Sequence, residues 1–206
     1  MITWIIIGLT SLVSFLAFQN TELMEKLQFN AARIVHRKEY FRLFSHAFVH
    51  VSWTHLIINM FVLFFFGRAV ENYFGYFFSS RSAVYFIILY IGGILVSNIW
   101  GLVKNKDNYY YNAVGASGAV SAVLFTFILL NPLEKLYLFA IIPIPGILFG
   151  VGYLAYSYIM STRRSDNIAH DAHFLGALFG IIFPLLLRLS LFERFLDQLF
   201  STLNFL

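Results

Sequence analysis

"NAVGASGAVSAVLFTFILLNPLEK", residues 112–135, opens on a run of small side chains and continues as apolar chain until Pro132, Glu134 and Lys135 close it. Whether such a run crosses lipid or lies in a soluble core decides the fold. The 206-residue chain is 60% hydrophobic and 12% charged, with a mean hydropathy of +0.77. Soluble domains carry about 25% charged residues, so lipid is the expected main solvent. A soluble core holding 25 Phe and 12 Tyr is the competing reading. Run lengths decide against it.

A bilayer core about 30 Å thick needs near 20 apolar helical residues at about 1.5 Å each. Six such runs occur: 2–18, 53–71, 83–102, 115–130, 137–158 and 169–189. The first lacks a basic leader and a small-residue cleavage site, which favours a retained span over a signal peptide. The long segment 19–52 mixes Lys26, Arg33, Arg37, Lys38 and Arg42 with aromatics. It is too polar to span, and its second half is too apolar to float free, so it belongs at the interface. The tail 190–206 sets Leu191, Phe192, Phe195, Leu196, Leu199 and Leu203 against Glu193, Arg194, Asp197 and Gln198. It reads as an interfacial amphipathic helix, or as a continuation of span six beyond Pro184.

The expected class is therefore an all-α integral membrane protein, with residues 1–206 as one domain, since no repeat or linker divides the chain. The absence of cysteine excludes disulfides and thiolate metal sites. A net charge of +4 suits anionic lipid and is too small and scattered to suggest nucleic acid.

Strongly polar groups inside spans are costly and usually face a bundle interior or water. His55 and Asn59 in span two, Ser117 in span four and His173 in span six stand out. Spans two, four and six run in the same direction, and each polar group lies near a helix start. All four therefore share one layer. His55 and Asn59, at i and i+4, stack on one helix face; a helix-gluing hydrogen-bonded pair is the plainer alternative. His46, His50 and His55 raise a metal site, but their spacing matches no compact ligand motif and span two offers no nearby carboxylate. No metal is expected.

His173, Gly176 and Gly180 fall on one narrow helical stripe, with His170 as a rival one turn nearer the surface and Asp171 pointing away. The small residues of the opening stretch then acquire a purpose. Gly115, Gly118, Ala119 and Ala122 let helix four approach the stripe of helix six, so that Ser117 can reach His173 at the 2.6–3.2 Å typical of a nucleophile and its base. Gly115 also permits a tight turn that leaves N–H groups near Ser117 free for an oxyanion. Plain helix packing is the alternative for this stretch.

"HAFVHVSWTHLIINMFVLFFFGRAVE" (46–71), "GASGAV" (115–120) and "AHFLGALFG" (172–180) together resemble the rhomboid intramembrane serine proteases, in order and in spacing. The resemblance implies a six-transmembrane-helix bundle with a long membrane-embedded first loop. It implies Ser117 as nucleophile and His173 as general base. His55 and Asn59 would bind the oxyanion with the Ser117 N–H. Arg42 falls at the family's loop arginine and Glu71 at an acidic position ending helix two. No cofactor is implied, and the partners would be transmembrane protein substrates and the lipid bilayer; the oligomeric state stays open. The implied home is a multi-pass position in the cell membrane of a prokaryote.

Two positions depart from the pattern. The family usually has an aromatic residue four after the serine, stacked on the histidine; here it is Ser121, and Tyr153 or Tyr156 on helix five could take its place. Phe41 stands where a Trp usually precedes the loop arginine. The family topology would also put segments 19–52, 103–114 and 159–168 outside, although they hold nine of the fourteen Lys and Arg, against the positive-inside rule. The expected function is hydrolysis of peptide bonds in or near transmembrane segments, through a water-filled cavity, with helix five and loop 159–168 as gates. The alternative is a catalytically inactive rhomboid-like factor that binds or escorts membrane proteins. A transporter would need in-membrane carboxylates, and Glu71 near a helix end serves poorly.

Overall fold

Backbone in lipid must satisfy its own N–H and C=O groups, and helices do so within one segment. The computed structural model, which describes residues 1–138, 141–163 and 168–201, is accordingly mostly helical. Helix α1 spans Ile2–Gln19. Short helices α2 (Thr21–Leu27), α3 (Ala31–Arg37) and α4 (Arg42–Ser45) follow, the first two capped by Asn20 and Asn30 side chains. A 52-residue helical run, Trp53–Lys104, comes next. It comprises α5 (Trp53–Val62), a π-helical turn at Leu63–Gly67, α6 (Arg68–Phe78), α7 (Ser82–Ser97) and α8 (Ile99–Lys104). About 78 Å of helix is far too long for one crossing. The run reverses after Phe78, where Ser79 adopts a φ of 50°.

Helix α9 spans Ser117–Leu130, α10 Gly146–Arg163, α11 His170–Leu187 and α12 Ser190–Ser201. Ile2–Gln19, the 53–104 run and His170–Leu187 are long and apolar enough to cross a membrane; α9 is apolar but shorter.

Several expected boundaries move. The second run does not end at Glu71 but continues to Phe78, and Glu71 instead receives the N–H groups of Ile2 (2.6 Å) and Thr3 (3.2 Å) and the Thr3 hydroxyl (2.6 Å) at the start of α1. The run 83–102 is broken at Asn98. The run 115–130 becomes helical only at Ser117, leaving Gly115 and Ala116 in the preceding turn.

The largest correction concerns 137–158. Lys135–Leu138 (β1) pairs antiparallel with Ile142–Pro145 (β2), Lys135 opposite Pro145 and Leu138 opposite Ile142. Pro143 and Pro145 lack the N–H a helix interior needs and clash with the preceding turn. The helix therefore starts at Gly146, where the Gly146 N–H bonds Glu134 O (2.9 Å) and the Ile147 N–H bonds Pro132 O (2.7 Å). Beyond Pro184 the chain breaks at Arg188–Leu189 before α12 begins, so the tail is a separate helix rather than a continuation. Part of loop 159–168 (residues 164–167) and the end of the tail, with Leu203, lie outside the described residues.

Helix α9 is the centre of the fold. Every residue from Gly118 to Leu130 is buried. A Cβ on Gly176 or Gly180 of α11 would lie 2.1 Å from the Gly118 or Ala122 carbonyl oxygen. The Thr126 hydroxyl donates to Gly180 O at 2.7 Å across the same contact. Gly118 itself faces elsewhere: a Cβ there would sit 2.3 Å from Ser97 Oγ of α7. Gly93 of α7 also approaches the Ala119 backbone, at 2.9 Å for its would-be Cβ. Helix α9 is thus clasped by small residues from both α11 and α7.

Candidate active site

Ser117 is the first residue of α9 and the single one in that helix that is not buried. No side chain caps this helix start, and the first N–H groups of a helix have no carbonyl one turn back. The N–H groups of Ser117 and its neighbours, together with the positive end of the helix dipole, form a natural seat for negative charge. Gly115 sets up this entry. Its φ of +114° suits glycine alone, and a Cβ there would stand 2.6 Å from His55 Cε1.

The turn before Ser117 is held from the other side by the first loop. Phe29 and Ala113 exchange backbone bonds of 2.9 and 3.1 Å, and the Gly115 N–H bonds His46 O at 2.9 Å. The Ala116 N–H donates to His50 Nε2 at 3.4 Å. On the far side of that ring Nδ1 meets Ser14 Oγ at 3.0 Å, and the Ser14 hydroxyl donates to Phe48 O at 2.9 Å. Nδ1 therefore carries the proton and Nε2 accepts. Burial holds the His50 imidazole neutral, with its pKa lowered to about 3 and the neighbouring histidines adding to the effect. Burial likewise lowers His46 to about 4, and Asn98 Nδ2 donates to its Nε2 at 3.2 Å. Arg42, 2% exposed, donates to Glu25 O and Gln28 O at 2.8 Å and so knits the loop.

His173 Nε2 lies 2.8 Å from Ser117 Oγ, a hydrogen bond between α11 and α9. Of the two histidines on α11 it is His173, not the rival His170, that reaches the hydroxyl. His170 packs edge-on behind it, at 5.9 Å between centroids, against Tyr156. The Tyr153 ring of α10 lies nearly parallel to the His173 imidazole, 21° between planes and 6.2 Å between centroids. Its phenol is 2.8 Å from Ser121 Oγ. The serine at the usual aromatic position thus anchors an aromatic ring supplied by another helix, Tyr153 rather than Tyr156. The Asp171 carboxylate is turned to the Ala172 N–H, 3.0 Å away.

Asn59 is 5% exposed and donates one amide hydrogen to His55 O at 2.8 Å, leaving its second for a ligand. The His55 ring meets His50 edge-on at 4.9 Å and covers Gly115. His46 Nε2 and both His50 ring nitrogens are engaged in these bonds. Two contributors lie outside the expected site although each carries a sequence signal. Asn98 is a strongly polar residue inside an apolar run, and Gly93 belongs to a Gly92–Gly93 pair of which Gly93 faces Ala119 and Ala122 while Gly92 faces Phe179.

The sequence matches the rhomboid domain over residues 37–190. It is 30% identical over 150 residues to RHOMBOID-like protein 12, mitochondrial, of Arabidopsis thaliana, covering 66% of this chain and 43% of that protein. It is 31% identical over 140 residues to the human presenilin-associated rhomboid-like protein, mitochondrial, covering 65% and 34%. With YdcA of Bacillus subtilis, a candidate rhomboid protease, it shares 28% identity over 155 residues, 72% of this chain and 67% of the relative. The aligned region spans less than half of the two mitochondrial relatives. The match to the rhomboid domain covers well over half of the sequence, and this integral membrane protein belongs to the rhomboid family.

Proposed function

We propose that this chain is a serine-type intramembrane endopeptidase that cleaves transmembrane proteins. The single observation that carries the reading is the 2.8 Å bond between His173 Nε2 and Ser117 Oγ. In this reading Nε2 takes the hydroxyl proton as Ser117 attacks a substrate carbonyl, then returns it to the leaving amine. Water resolves the acyl-enzyme from a cavity open to one side. The oxyanion is received by the uncapped start of α9, the free Asn59 amide hydrogen and His55, with Gly115 shaping the entry. Gly118, Gly176 and Gly180 hold the three helices close enough for these groups to meet.

The same reading takes residues 1–206 as one domain with six crossings: α1, two from the 53–104 run, α9, α10 and α11. Segment 19–52 is then an embedded first loop. Helix α9 is only about 21 Å long, which sets its serine below the surface. The mitochondrial relatives and the Bacillus protein leave two kinds of host membrane, and the cell membrane of a prokaryote is our choice. Helix α10 is the wall that moves to admit a substrate.

Ser121 is the feature that favours the escort alternative; the Tyr153 ring beside His173, bonded to Ser121, supports the peptidase reading instead. The test is labelling of the purified protein in detergent with a fluorophosphonate. Wild type should label and Ser117→Ala should not. A folded wild-type protein that stays unlabelled would leave the escort role standing.

A further inference from the structure

At the end of the bundle away from Ser117 a cleft opens between the last turns of α6 and the α11–α12 junction. Two adjoining hollows of about 500 and 410 Å³ share Tyr76, Phe77 and Arg194; Arg188, Ser190 and Leu191 complete the first, Asn72 and Tyr73 the second. Both guanidiniums lie against the Phe77 ring, Arg188 Cζ at 5.6 Å and Arg194 Cζ at 5.5 Å from its centroid. Arg188 also donates to Ser190 Oγ (3.0 Å) and to Phe77 O (3.2 Å).

The charge in this cleft is unbalanced. Glu193 and Asp197 share α12 but line neither hollow. The ion pairs found among the described residues, His36–Asp107 and Arg42–Glu39, belong to other segments. Two like charges gathered about one ring repel unless an anion joins them, and a guanidinium fork suits phosphate oxygens. Hydroxyls from Ser190 and Tyr76 add neutral donors.

The surroundings distinguish a lipid from a soluble anion. Arg188 follows directly on the last residue of α11, an apolar helix long enough to cross a membrane, so it sits where headgroups lie. Leu186, Leu189 and Phe192 flank the junction, 80%, 74% and 45% exposed, and offer a wall to acyl chains. We propose that this cleft binds the phosphate headgroup of an anionic phospholipid and fixes the α11–α12 junction to the membrane surface. The assignment does not rest on the peptidase reading.

The test is native mass spectrometry of the full chain in detergent, titrated with dioleoyl phosphatidylglycerol and with phosphatidylcholine of the same chains. Wild type should retain phosphatidylglycerol more tightly. Each arginine removed should weaken that retention about fivefold, so Arg194→Gln loses about fivefold and Arg188→Gln with Arg194→Gln about 25-fold, while phosphatidylcholine retention is unchanged. Arg188 closes the end of α6 through Phe77 O, and Arg194→Gln alone keeps the test open should the double variant not fold. Equal retention of the two lipids by wild type, or an Arg194→Gln protein that holds phosphatidylglycerol as wild type does, overturns the proposal. Displacement of the lipid by equimolar glycerol phosphate would also overturn it, in favour of a soluble anion.

Discussion

Ser117 stands between two walls of different construction. On one side α11 and α7 meet α9 backbone to backbone, with would-be Cβ atoms of Gly176, Gly180 and Gly93 at 2.1–2.9 Å from their neighbours, and the first loop bonds the turn that precedes α9. On the other, α10 meets the same core through side chains. A Cβ on Gly150 would lie an ordinary 3.4–3.6 Å from the Phe125 and Ile128 side chains, and one on Gly152 would meet nothing within 4 Å. Contacts between backbones have no rotamer to relax, whereas a ring and a hydroxyl can part and meet again. The first wall fixes where Ser117 is; the second governs how the His173 ring is held. Under the peptidase reading, a substrate entering beside α10 would disturb the base without unseating the serine.

The largest effects belong to the fixed wall. Gly176→Ala combined with Gly180→Ala drives two methyl groups into carbonyl oxygens and should cost about 1–3 kcal/mol at each site. Gly152→Ala, facing open space, should be neutral or slightly stabilising through helix propensity. Thermal unfolding in detergent measures both, and equal midpoints for the two proteins would erase the difference between the walls. Next comes Asn59→Ala, which under the peptidase reading removes one oxyanion donor and should slow cleavage of a reconstituted transmembrane substrate about 100- to 1000-fold with the fold intact. An Asn59→Ala rate equal to wild type would take that side chain out of the site.

Acid tests the loop that braces Gly115 and Ala116. His46 and His50 are neutral when folded, with pKa values lowered to about 4 and about 3 from 6.5. Below pH 6.5 the unfolded chain takes up protons that the folded chain refuses. Stability should therefore be level above about pH 6.5 and fall as pH drops toward 4, by at most about 1.4 kcal/mol per pH unit for each histidine. His50→Asn should flatten part of that slope. A melting temperature independent of pH between 7 and 4.5 would mean these imidazoles are not held neutral by the fold.

The two walls were unequally legible in the sequence. Ser117, His173 and the Gly176–Gly180 stripe can be placed from helical periodicity, because small and polar residues are rare in apolar runs and their spacing puts them on one face. Gly93 was missed because two adjacent glycines do not disclose which helix they will meet. The strand pair 135–138 and 142–145 is hidden because hydropathy counts Ile, Leu and Tyr alike in strand and helix; only Pro143 and Pro145 mark the break. That boundary matters to the second wall, since it moves the start of α10 from 137 to Gly146 and its anchoring to Pro132 and Glu134. No local pattern could reveal that Ser121 and Tyr153, 32 residues apart, act as one unit.

The smallest effects probe that unit. Tyr153→Ala leaves the serine in place and frees the His173 ring, so fluorophosphonate labelling should slow about tenfold, the scale of a modest loss of orientation. Tyr153→Phe and Ser121→Ala each remove only the 2.8 Å bond between the two residues; a single hydrogen bond is worth about 0.5–1.5 kcal/mol, or two- to tenfold in rate at most. The decisive variant moves the ring rather than deleting it. Ser121→Phe in the Tyr153→Ala background returns an aromatic residue to α9, on the rigid side of the site. Recovered labelling would mean that His173 needs a ring beside it and that α10 is one way of supplying it. Labelling that stays slow in a stable double variant would mean the ring must come from α10, and that the movable wall itself sets the base.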